Sequence, residues 1–141
     1  MLLTDIILFF HLAGLMMGAG GGFGSMLAMR HAASLPPEQQ APFRALGPKM
    51  GRFSHIGLTL MWITGLTLVF LKYGGFAGLP QLFWIKIVFV LSLTLAAITI
   101  EMTYGEIKRG NVAAAARLPR LGPWAGLSSL LSVLFAVLAF H

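Results

Sequence analysis

Cysteine is absent from the 141 residues, which excludes disulfides, thiolate metal sites and iron–sulfur clusters. Charge is scarce too. Four acidic and ten basic side chains make up 10% of the chain, whereas soluble domains carry about a quarter charged residues. A water-soluble fold is therefore not expected. No Walker loop, nucleophilic triad or metal-binding spacing is present, and the closely spaced glycines at 18 and 20–22 follow no strand, so they carry no dinucleotide-binding meaning. What remains is apolar: 57% of the residues are hydrophobic.

Four segments are long enough to cross about 30 Å of hydrocarbon at a rise of about 1.5 Å per residue. They are Ile6 to Met29, Phe53 to Leu71, Leu82 to Thr103 and Leu121 to Phe140. The first lacks a basic leader and carries Asp5, so it reads as a mature helix rather than a signal peptide. Arg30, Arg44, Lys49 and Arg52 follow the first segment, and Lys108, Arg109, Arg117 and Arg120 follow the third. The positive-inside rule then places both basic connections in the cytoplasm and both termini on the outer, periplasmic side. The expectation is one all-α domain, an antiparallel bundle of four transmembrane helices in a bacterial inner membrane. Basic clusters beside a bilayer read anionic lipid, and nucleic acid is not expected. Pro36, Pro37, Pro42 and Pro48 are expected to keep the first connection out of one continuous helix. Gly74, Gly75, Gly78 and Pro80 predict a short turn that makes the second and third helices antiparallel neighbours, and Ala113 to Ala116 predict a short surface helix.

An ionisable group within the hydrocarbon is expensive and by default faces the bundle interior with a partner or a task. His11 and Lys86 lie near the outer ends of helices that run the same way, at similar depth. A neutral imidazole there can ligate a haem iron or relay a proton, and a lysine can pair a carboxylate or snorkel to the interface. His11, Gly14, Gly18 and Gly22 share one helical face, which serves either close helix packing or a planar ligand. Trp62 is the one tryptophan placed mid-helix to touch a flat cofactor, while Trp84 and Trp124 read as interfacial anchors. His55 lies about 15 Å from His11 along the membrane normal, too far for both to hold one iron. It is grouped instead with Arg52, Glu101 and Arg30 in a second polar cluster, either structural ion pairs, a proton path or an anchor for carboxylates.

The order of these features resembles the HemJ-type protoporphyrinogen oxidase family and its CopD-like relatives among small four-helix bacterial membrane proteins. The resemblance rests on His11 with Gly21, Phe23 and His31, on FRALGPKMGRFSHIGLTLMWITG (Phe43 to Gly65), and on Trp84-Ile85-Lys86 with Val88, Val90 and Leu91. It covers most of the chain. The chain departs from the family at Gly24-Ser25, where a tryptophan and a Pro-Arg pair are usual, and in carrying His55. The resemblance implies haem b binding and oxidation of protoporphyrinogen IX, with His11 and Lys86 as the residues on which the activity depends.

The resulting expectation is a haem b or porphyrin-binding redox protein, an oxidase or a quinone-linked b-type cytochrome. Its ligand would rest on His11 (as iron ligand), Lys86, Gly14, Gly18, Gly22 and Trp62, and its electrons would pass to a quinone or another membrane carrier. The rival is a cofactor-free accessory or scaffold subunit of a homo-oligomer or larger membrane complex, and transport of protons or metal ions is a third reading.

Overall fold

The computed structural model describes residues 1–141 and is all-helical. Its long helices are α1 (Leu2–Ser34), α2 (Ala41–Tyr73), α3 (Gln81–Lys108) and α4 (Leu118–Phe140), with 3₁₀ turns at Pro37–Gln39 and Val112–Arg117. All four are long and apolar enough to cross a membrane, the last counted with its 3₁₀ lead-in. Only 17 of 141 residues are buried, and Ile63, Leu91 and Val137 are each more than half exposed. That outward-facing apolar surface suits lipid as solvent, because helices satisfy their own backbone groups and need no water.

The helices extend beyond the hydrophobic segments at the basic end. The largest difference from expectation is at the start of α2, which runs without interruption through Pro48. Pro42 sits in the first turn, where its missing N–H has no helical partner to lose, and Pro48 forfeits only one bond within a 33-residue helix. The Ala113 to Ala116 run is 3₁₀, with Ala114 buried against its neighbours.

The bundle is built from two hairpins. In the first, α1 and α2 meet backbone to backbone. A Cβ on Gly14 would stand 2.9 Å from the Gly57 carbonyl oxygen, and one on Gly21 would stand 2.6 Å from the Ser54 nitrogen. Likewise, a Cβ on Gly57 would overlap the Gly18 nitrogen. Ser54 Oγ seals the seam by donating to the Gly18 carbonyl at 2.7 Å. Small residues at such positions let helices approach closely in lipid, where no hydrophobic force draws them together.

The second hairpin, α3 with α4, is joined through side chains. Trp124 Nε1 donates to Ser92 Oγ at 2.9 Å, Ser92 meets Ser128 at 3.0 Å, and Phe89 stacks on Phe135 at 5.6 Å. Trp124 is therefore bonded to the middle of α3 instead of serving as an interfacial anchor.

The turn between α2 and α3 is short and uses left-handed glycines, Gly74 at φ 67° and Gly75 at φ 114°. It makes α2 and α3 antiparallel but does not pack them along their length: they touch sparingly, as do α1 and α4. Three spaced bonds cross the gap, Trp62 Nε1 to Thr94 Oγ1 at 3.0 Å, His55 Nε2 to Glu101 Oε2 at 3.1 Å, and Ser25 Oγ to Tyr104 Oη at 3.3 Å. At the turn end Val69, Leu79 and Phe83 form a small apolar cluster, capped by Tyr73 stacked on Phe140 at 4.9 Å.

Candidate functional site: a cavity between the two hairpins

The space left between the hairpins is a cavity of about 780 Å³, within the range of about 300–1,000 Å³ of ligand pockets. His11, Gly18, Gly22, His55, Trp62, Lys86 and Arg30 all line it. From His11 to Arg30, nineteen residues along α1, it extends about 28 Å by helical rise. Its walls are mostly apolar, with Leu58, Leu93, Ala97 and Ile100 along the middle.

His11 is the best-defined side chain in the cavity. Its Nδ1 lies 2.8 Å from Thr64 Oγ1, and Thr64 is buried. The Thr64 hydroxyl has one hydrogen and directs it to the Leu60 carbonyl at 2.7 Å. With the ring neutral and Nδ1 protonated, the Thr64 oxygen accepts from Nδ1–H and Nε2 keeps the lone pair. Such fixing of one nitrogen by a partner is how metal-ligating histidines are oriented. Gly65 makes room for the ring, since a Cβ there would stand 3.1 Å from His11 Cε1. Thr64 and Gly65 went unnoticed in the sequence because hydroxyl and glycine residues are common in transmembrane helices, and only their level opposite His11 marks them.

Lys86 lines the same end of the cavity, half-buried and with no ion pair. Its Nζ lies over the Phe83 ring at 5.5 Å, so the ammonium leans back toward the turn end. Counting rise from the three bonds that cross the gap, its backbone lies about 6–9 Å nearer that end than His11's. The two are walls of one cavity, offset by this amount where similar depth was expected.

The glycine face divides. Gly18 and Gly22 line the cavity, whereas Gly14 is buried in the seam with Gly57 and Met61 and does not reach it. Trp62 lines the cavity and holds α2 to α3 through Thr94.

The second polar cluster is smaller than expected. His55 and Glu101 pair at 3.1 Å, but Arg52 is exposed and Arg30 stands at the cavity rim, neither with a carboxylate partner. His55 is nine residues from Thr64 on α2, so it stays about 13 Å from His11 in depth while facing the same cavity. No three His, Asp or Glu side chains gather to hold a bare metal ion. An iron carried by a macrocycle asks for only one or two axial side chains. Compared with protein families, curated proteins and solved structures, the chain finds no match.

Proposed function

We propose that the chain is a haem b or porphyrin-binding redox protein of a bacterial inner membrane, an oxidase of the protoporphyrinogen type or a quinone-linked carrier. The observation that carries this reading is the His11 Nδ1–Thr64 Oγ1 contact at 2.8 Å, which orients the imidazole at the wall of an apolar cavity of ligand size. The residues present fit such a macrocycle. His11 would offer the axial nitrogen, Gly18 and Gly22 a flat wall, Trp62 an aromatic flank, and Lys86 a charge for a carboxylate. When bound, the macrocycle supplies the redox chemistry. The side chains would hold it and exclude water, and Lys86 Nζ would exchange protons. The basic loops favour an orientation with both termini on the periplasmic side.

The visible spectrum of the purified protein tests the reading. A Soret band that is present in the wild type and lost in His11→Ala supports it, and a colourless protein without porphyrin affinity refutes it. Complementation of a haem-deficient strain then separates oxidase from carrier. The scaffold alternative drew on the glycine face, but Gly14 and Gly21 are used within the chain against α2. They call for no external partner.

A further inference from the structure

The forty residues that line the cavity include no aspartate or glutamate; the charged ones are Lys86 at the turn end and Arg30 and Arg44 at the basic end. The two arginines come from different helices, the end of α1 and the first turns of α2. Arg30 makes no ion pair. Arg44 uses only Nε, which donates to Gln40 Oε1 at 2.9 Å, so its terminal nitrogens remain available. The contrast with Arg117 is informative: that residue does not line the cavity, and its guanidinium is bound to both oxygens of Glu106 at 3.2–3.3 Å. The basic rim of the cavity thus keeps two guanidinium forks unneutralised, above a shaft walled mainly by Met26, Met29, Leu58, Leu93, Ala97 and Ile100, in which the polar side chains Ser25, Tyr104 and His55 already have partners.

A guanidinium fork matches carboxylate or phosphate oxygens in two-point geometry. An apolar shaft directly beneath it accepts hydrocarbon. We infer that the basic half of the cavity binds an anionic amphiphile, its carboxylate or phosphate head on Arg30 and Arg44 and its acyl chain in the shaft. Length agrees: an acyl chain spans about half of a 30 Å hydrocarbon core, or about 15 Å, while the cavity runs about 28 Å from Arg30 to His11. A chain seated from the rim leaves the His11 end free. For the same reason a macrocycle centred on His11 does not bring its carboxylates to these arginines. The site therefore stands independently of the haem reading.

Photolabelling tests it. The protein in phosphatidylcholine nanodiscs is irradiated with a diazirine-bearing stearic acid, and labelled residues are mapped by mass spectrometry. The expected result is labelling of shaft residues such as Met26, Leu58 and Ile100, competed by oleate and not by oleyl alcohol. It falls at least tenfold in R30Q/R44Q and recovers in R30K/R44K. A parallel arm with diazirine phosphatidylglycerol identifies the source of the head group: stronger shaft labelling there assigns a phospholipid, stronger labelling by stearic acid a free fatty acid. Labelling confined to lipid-facing Ile63, Leu91 and Val137 overturns the inference, as does equal competition by the neutral alcohol or equal labelling in R30Q/R44Q. The Soret band of R30Q/R44Q is expected to match wild type, so failure here and failure of the haem reading are separately visible.

Discussion

The two hairpins reach the same end by different means. Between α1 and α2 the contact is backbone on backbone, and at Gly14, Gly21 and Gly57 there is no volume for even one methyl group. Between α3 and α4 the contact runs through hydroxyls, an indole and a stacked ring pair. The first joint leaves no room for added side-chain atoms; the second rests on side-chain groups that can be removed one at a time. Across the gap there are only three isolated bonds, and that sparseness keeps the cavity open. A bundle of four evenly packed helices would have no such space.

The largest expected effect comes from breaking the rigid joint. Gly57→Val places atoms on the Gly18 nitrogen and the Gly14 carbonyl, and overpacking of this kind is expected to cost about 3 kcal/mol in detergent unfolding. Gly20→Ala meets nothing within 4 Å and is expected to change stability by less than about 0.5 kcal/mol. Similar losses for both would show that the glycines do not form the seam.

The next effect is at the site that the hairpins enclose. Thr64→Val keeps the shape but leaves His11 Nδ1–H without its acceptor, a loss of about 1–3 kcal/mol of stability. If the chain holds a macrocycle on His11, its affinity is expected to fall about 10–100-fold, measured by titration of the Soret band. A Thr64→Ser protein that retains both properties, where Thr64→Val does not, ties the effect to the hydroxyl.

Smaller losses are expected from the gap-spanning bonds. Trp62→Phe removes the donor to Thr94 and is expected to cost about 1 kcal/mol, read from the unfolding midpoint. Glu101→Gln breaks a pair whose side chains are 30% and 55% exposed, so the coupling in a double-mutant cycle with His55→Gln is expected to stay below about 1 kcal/mol. A larger coupling would make that pair the principal clasp between the hairpins.

The number of helices and the separation of His11 from His55 were legible in the sequence because both follow from hydropathy and a fixed rise per residue. Pro48 misled because a proline near a helix start removes one bond and leaves the remainder of a long helix intact. The pairing of helices was not legible. Apolar residues surround every helix in a membrane segment, so periodicity does not say which face meets which neighbour. The cavity depends on that pairing, and so did the separation of Gly14 from Gly18 and Gly22, the role of Thr64, and the position of Arg44 at the rim.

The cluster of Val69, Leu79 and Phe83, capped by Tyr73 on Phe140, has a directional consequence. No residue beyond Phe83 toward the turn lines the cavity, whereas its other extreme reaches Arg30, Arg44 and Pro119. Along the bundle axis the chain is a blind well, not a conduit. Access along the axis is therefore from the arginine end, where no such apolar cluster closes the bundle.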